Sequence, residues 1–153
     1  MAAEITTVCE AIKDWIVAGL DAPTDATVSR VYIAPVNVDT LTTRQIFVFP
    51  LKYSNGPTTR SEDEWVYGVQ VTCVEKYTTA GNPTNTWIDG LVDFVQAKIS
   101  DRCDFVRTLF TFGTTRELFT QANEVTVYDE ALLSQEKLFR SDVVFEFRET
   151  LTA

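Results

Sequence analysis

The stretch EWVYGVQVTCVEKY, residues 64–77, decides the fold because it predicts one long β-strand. Apolar residues occupy every second position, which is the period of a strand with one buried face. These positions are Trp65, Tyr67, Val69, Val71 and Cys73. An ordinary strand has about 5–6 residues. We therefore expect this one to extend beyond the body of a small domain, or to bend at Gly68.

The preceding apolar segment, residues 45–53, predicts the partner strand of a β-hairpin. The polar run SNGPTTRSED, residues 54–63, lies between the two strands and has the composition of a turn. We expect a long protruding hairpin with a polar tip. Apolar residues on both sides of the first strand predict burial on both faces. Pro50 cannot donate a ladder hydrogen bond, so we expect an edge or a bulge there.

Two amphipathic helices are predicted on either side of the hairpin, over residues 3–18 and 87–99. In both segments apolar residues recur at spacings of three and four. Thr84 or Asn85 is expected to cap the second helix. Residues 28–33 are rich in β-branched and aromatic side chains and predict a short strand between the first helix and the hairpin.

The C-terminal third has a weaker pattern. Residues 104–112 and 124–128 predict strands, residues 114–122 a helical turn, and residues 130–139 a short helix or an irregular segment. A last strand is predicted over residues 143–148, with inward positions Val143, Phe145 and Phe147. Together the elements predict a single domain, residues 1–153, of the α+β class. Its sheet is mostly antiparallel, and two main helices pack on it.

Composition and charge exclude several classes of protein. The chain has 153 residues and a net charge of −9, which opposes binding to nucleic-acid phosphates. No segment has the ~20 apolar residues that a membrane-spanning helix needs, and no signal peptide is predicted at the N-terminus. Three widely spaced cysteines are expected to be free core residues in a reducing compartment: Cys9, Cys73 and Cys103.

The residues of common catalytic sites are missing. The chain has no histidine, so a zinc site or a nucleophile paired with histidine is not expected. The carboxylates at residues 62–64 are predicted to form a solvated surface run. We therefore predict that the protein is not an enzyme and has no catalytic residue, no metal and no cofactor.

One catalytic alternative follows from the order of the predicted elements. The order α-β-β-β-α-β is also that of metal-dependent nucleases, whose sites resemble an Asp on one strand and Glu-x-Lys on the next. Here Glu75 and Lys76 are adjacent, and adjacent residues of a strand face opposite sides. A nuclease-like enzyme is therefore a remote alternative.

Arginine and aromatic side chains near the hairpin are the candidates for subunit contacts, because both are enriched at the centres of protein interfaces. The predicted contact residues are Arg44, Tyr53, Arg60, Trp65, Tyr67 and Arg116.

The order of these elements resembles that of a known family of viral proteins. It comprises an opening helix, a short strand, the long hairpin, a second helix and an acidic, leucine-bearing segment that leads into a final strand. The last two are YDEALLSQEKLFRSD, residues 128–142, and VVFEFRE, residues 143–149. In this arrangement, and in size and acidity, the chain resembles the tail terminator, or tail completion, proteins of long-tailed bacteriophages.

The resemblance implies a structural virion protein that forms a homo-hexameric ring. Such a ring caps the tail tube, ends tube polymerisation and joins the tail to the head-side connector. Its partners are other copies of itself, the tail tube protein and a neck or connector protein; DNA only passes through the lumen, and no membrane is involved. We expect assembly in the host cytoplasm and a place at the head-proximal end of the tail. A different neck or head-completion protein and a tail tube subunit remain alternatives.

Overall fold

The stretch that decides the fold forms a central strand of the sheet, and the strand is longer than predicted. In the computed structural model it spans Glu62–Lys76. The structure describes residues 4–33, 41, 43–57, 62–104, 110–112 and 116–152, and at a few of the strand positions it describes the backbone alone. The elements in chain order are α1 (Ile5–Gly19), β1 (Thr27–Arg30), β2 (Gln45–Pro57), β3 (Glu62–Lys76), α2 (Asn85–Val95), a π-helical turn (Gln96–Ser100), β4 (Phe110–Phe112), β5 (Arg116–Thr126), α3 (Glu130–Glu136) and β6 (Leu138–Thr152).

The strands of the described part of the chain form one six-stranded sheet in the order β1-β2-β3-β6-β5-β4. β1 runs parallel to β2, and all other neighbours are antiparallel. The helices precede or interrupt the strands, so the predicted α+β class with a mostly antiparallel sheet is confirmed.

The long hairpin is confirmed, and it has a third strand along its length. β2 pairs with β3 from Gln45 opposite Val74 to Pro57 opposite Asp63. Both strands therefore enter the segment that was predicted to be a turn. β6 pairs with β3 over all 15 residues of that strand. Because β3 has a partner on each side, the polar residues near the tip can continue the ladder, although their intrinsic preference is for a turn.

A bulge at Pro50 confirms the expectation drawn from that residue. The register between β2 and β3 shifts between Pro50 and Lys52. The carbonyl of Val48 accepts a hydrogen bond from the amide of Val31, so it points away from β3. Backbone groups alternate in direction along a strand, so Pro50 also turns its nitrogen away from β3 and removes no bond from that ladder. Across the bulge, a Cβ on Gly68 would come within 2.8 Å of Lys52 Cγ.

The main core lies between the helices and one face of the sheet. The predicted inward positions of β3, from Tyr67 to Cys73, are fully buried, and Trp65 is half-buried against them. The inward positions of β6 are also fully buried, as predicted: Val143, Phe145 and Phe147. α1 and α2 supply their apolar stripes to the same core: Val8, Cys9, Ile12, Ile16, Leu91 and Val95.

The opposite face of the sheet is covered at one end only. Phe47, Val74 and Leu138 form a second small core there, against which Leu132 of α3 packs. Burial of β2 on both faces is therefore confirmed near its start. Farther along the same strand, Leu51 is 50% exposed.

The prediction of a helical turn over residues 114–122 is wrong, because Arg116–Thr126 is β5. β5 pairs with the edge of β6, and this long-range pairing outweighs a weak local capping pattern. The strand predicted over residues 124–128 is the end of β5. Of the strand predicted over residues 104–112, residues 110–112 form β4, and residues 105–109 lie outside the described residues.

Several element boundaries also differ from prediction. The strand predicted over residues 28–33 is the shorter β1. α2 ends at Val95 and continues as the π-helical turn. The side chain of Thr84 accepts a hydrogen bond from the amide of Trp87, so Thr84 is the N-cap. Of the short helix and the irregular segment that were the alternatives for residues 130–139, the structure has the helix, as α3, and β6 already begins at Leu138.

Candidate interaction surfaces

The described residues were searched for a metal site and for reactive cysteines, two common kinds of catalytic site. No three histidine, cysteine, aspartate or glutamate side chains there are placed to hold a metal ion. Glu75 lies 3.5 Å from Arg44, with which it forms an ion pair. All three cysteines are free and buried, as predicted. Burial raises the pKa of each thiol to about 12, which makes thiolate chemistry at neutral pH unfavourable.

Arg44 immediately precedes β2 and is occupied within the chain. Its guanidinium carbon lies 4.2 Å from the centre of the Phe94 ring, and one of its terminal nitrogens lies 3.5 Å from Glu75. These contacts fasten the start of β2 to α2. The Nε of Arg44 is buried and has no hydrogen-bond partner among the described residues.

Tyr67 is the predicted contact residue that lies deepest in the chain. Its side chain is fully buried, and its hydroxyl donates a hydrogen bond of 2.7 Å to Oε2 of Glu149 on β6. Glu149 is itself 1% exposed. Tyr67 thus joins two strands of the sheet and presents no surface to a second molecule.

Tyr53 and Trp65 are brought together on the outer half of the hairpin. Their rings stack with centroids 6.2 Å apart. Trp65 faces the core, while Tyr53 is 62% exposed. With Leu51, Tyr53 belongs to a segment that we call the β2 edge, residues 49–57. No described strand pairs with its outer side, because β1 accompanies β2 only as far as Val48.

Two of the predicted contact residues, Arg60 and Arg116, have side chains that the structure does not describe. Arg60 lies outside the described residues. The backbone of Arg116 begins β5, opposite Phe112, but its side chain is not among those described.

A second surface was missed by the sequence reasoning. An apolar groove of about 250 Å³ lies between α2 with its π-helical turn and the outer strand β5. Val92 and Val95 line one wall, and Val125 and Val127 line the other. Its volume is below the ~300–1,000 Å³ typical of small-molecule pockets. We call this surface the α2–β5 groove.

The exposed apolar residues at the end of β5 distinguish this groove from an ordinary surface crevice. Val125, Val127 and Tyr128 are all exposed, although each is large and apolar. No described strand pairs with the outer side of Asn123–Thr126, since β4 reaches only to Leu118. The alternation of Val125 and Val127, with no amphipathic helix left to cover them, was the available sequence signal.

Among the described residues, no helix has both the length and the apolar character that crossing a membrane requires.

Comparisons with known proteins identify no family for the chain. No protein-family model and no curated protein matches the chain. Among solved structures, the chain is similar to the PVC sheath/tube terminator of an extracellular contractile injection system in its extended state. The TM-score is 0.40 and the identity is 9%; the match covers 100% of this chain but only 58% of that protein. A likeness this distant assigns neither a family nor a function to the chain.

Proposed function

We propose that the chain is a tail terminator protein, a structural component of the virion that forms a ring and acts through shape and self-contact. The observation that carries the proposal is the β2 edge, which is exposed although Tyr67, opposite Tyr53 on β3, is fully buried. Ile46 and Val48 of β2 are fully buried, whereas Leu51 and Tyr53 are at least half exposed. A sheet edge that presents exposed apolar side chains suits contact with another protein.

The residue chemistry supports an interfacial mechanism. Every cysteine is inert, and the described carboxylates are not grouped for metal binding. Two separate surfaces hold exposed apolar residues: Leu51 and Tyr53 lie on the β2 edge, and Val125, Val127 and Tyr128 lie at the α2–β5 groove. Distinct surfaces that meet head to tail generate closed rings when the rotation between copies closes.

In the proposed role, a ring of six copies sits on the finished tail tube and blocks addition of further tube subunits. Its other face meets the neck or connector protein, and DNA passes through its lumen. With a net charge of −9, an acidic lumen would repel the DNA backbone. The protein would assemble in the host cytoplasm and remain at the head-proximal end of the tail.

The test uses the purified chain and tail tube subunits encoded by the same genome. We expect discrete rings by electron microscopy, bound at one end of each tube, and tubes that stop elongating once the ring is added. Filaments formed by the chain alone would instead identify a tail tube subunit. Metal-dependent nuclease turnover, lost on replacing one carboxylate, would refute the structural role.

A further inference from the structure

We propose that Asn55, on the β2 edge, is a site of spontaneous deamidation whose rate is set by local opening of that edge from β3. The inference is independent of the proposed function, because it rests on the chemistry of one residue pair and on the place of that pair in the ladder.

The pair Asn55–Gly56 is the one Asn-Gly sequence in the chain. Asparagine is among the thermally labile residues. It degrades fastest before glycine, which has no Cβ to hinder its amide nitrogen and leaves the backbone free to bend. The Gly56 nitrogen attacks Cγ of Asn55, a new C–N bond closes a succinimide ring, and the side-chain nitrogen leaves as ammonia. Water then opens the ring to give aspartate or isoaspartate.

The structure holds this pair in a conformation that does not favour the reaction. Asn-Gly is the strongest short signal for a hairpin turn, yet Asn55 lies opposite Trp65 and Gly56 opposite Glu64 in the ladder of β2 with β3. The φ of Gly56 is not positive, so the pair is extended. An extended backbone directs the Gly56 nitrogen away from the side chain of the preceding residue. The ring can therefore close only after this part of the strand leaves the ladder.

The β2 edge is weakly held in the sheet. Among the described strands it pairs on one side only, since β1 ends at Arg30, opposite Val48. All side chains of residues 51–55 are exposed, so their release from β3 uncovers little apolar surface. The register shift after Pro50 interrupts the ladder at the inner end of this segment. Segments with few buried contacts open locally at a lower free energy than the whole domain.

The stack of Tyr53 on Trp65, with ring centroids 6.2 Å apart, is a contact that fastens the β2 edge to β3. Lys52 adds an exposed ion pair of 3.3 Å with Glu146, and exposed ion pairs contribute little to stability. Local opening of the edge should therefore depend on the aromatic stack.

Either product of the reaction should loosen the hairpin. Aspartate at position 55 places a carboxylate close to Glu64, which lies opposite Gly56, and neighbouring like charges on paired strands are destabilising. Isoaspartate adds a carbon to the main chain, so the residues beyond it lose their register with β3.

The test follows deamidation of residue 55 in the full chain by peptide mapping and mass spectrometry, in native buffer and in denaturant at the same mildly alkaline pH. Tyr53→Ala removes the aromatic stack at an exposed position. The matched control is Thr84→Ala, which lowers global stability through the cap of α2 and leaves the hairpin unchanged. Gly56→Ala hinders the attacking nitrogen, and its Cβ would meet no described atom within 4 Å, so this variant should fold.

In denaturant the parent chain, Tyr53→Ala and Thr84→Ala should deamidate at Asn55 at the same rate, and Gly56→Ala should lose most of the reaction. In native buffer the parent should react more slowly than in denaturant. Tyr53→Ala should speed the native reaction by roughly two- to tenfold, which is the effect of losing one aromatic pair on an opening equilibrium. Thr84→Ala should leave the native rate unchanged, because the reaction needs only local opening.

Each part of the inference has its own contrary result. The site is refuted if the denatured chain does not deamidate at Asn55, or if Gly56→Ala reacts as fast as the parent there. Control by the ladder is refuted if the native parent reacts as fast as the denatured chain. Local opening is refuted if Tyr53→Ala does not speed the native reaction, or if Thr84→Ala speeds it equally.

Discussion

The substitution Tyr67→Phe tests how the two longest strands are fastened together. Tyr67 lies on β3 and is fully buried, and its hydroxyl donates to Glu149 of β6 at 2.7 Å. The substitution removes the hydroxyl and leaves the ring and its packing in place. Glu149, itself 1% exposed, would lose one donor in a site that water does not reach freely.

The expected loss of stability depends on whether the group that accepts the hydrogen bond is charged. A hydrogen bond to a charged group contributes ~1.5–3 kcal/mol to stability, whereas a bond between neutral groups contributes ~0.5–1.5 kcal/mol. For a chain of about this size, each kcal/mol corresponds to ~2–4 °C in melting temperature. We therefore expect Tyr67→Phe to lower the melting temperature by roughly 3–12 °C.

The assay is thermal unfolding followed by circular dichroism, and urea unfolding is the second measurement, in which the midpoint should fall with an unchanged m-value. The matched control is Tyr53→Phe, which removes the same hydroxyl from a residue that is 62% exposed and should change stability by no more than about 0.5 kcal/mol. Repeating Tyr67→Phe in a Glu149→Gln background isolates the contribution of the acceptor's charge, and the loss should be smaller there. The reasoning fails if Tyr67→Phe changes stability no more than Tyr53→Phe does.

Three further outcomes are expected. Phe145→Ala, at a fully buried position stacked on Phe147 with ring centroids 5.3 Å apart, should cost ~3–5 kcal/mol in urea unfolding; a cost below about 1 kcal/mol would contradict its place in the core. Thr84→Ala should lower stability by ~1 kcal/mol through loss of the α2 cap, whereas Thr84→Ser should retain it. The native thiols should not react with a thiol reagent at pH 8 and should all react in denaturant. The pKa of these thiols is raised from 9.0 to about 12 in the folded chain. Between pH 9 and pH 12 the thiols therefore ionise in the unfolded chain and stay protonated in the folded chain. Stability should therefore fall as pH rises from 9 towards 12, and early native labelling would contradict the burial.

Local patterns in the sequence determined the strands and helices that have a clear period. The alternation of apolar residues in residues 64–77 identified β3 and its buried face, and the spacing of three and four identified α1 and α2. The missing amide hydrogen of Pro50 was enough to predict an edge or a bulge at that position, although it did not decide between them. These features depend on residues within one or two turns or pleats of each other, so the sequence alone contains the necessary information.

The tertiary structure alone decided which strands pair and what remains uncovered. β5 was predicted to be partly helical because its own pattern is weak, and it is a strand because the edge of β6 is available to it. The hydroxyl of Tyr67 meets a carboxylate 82 positions away in the chain, a contact that no local pattern specifies. The α2–β5 groove is visible only once the helices and strands are packed, because exposure depends on which elements cover a face as well as on the residues that form it.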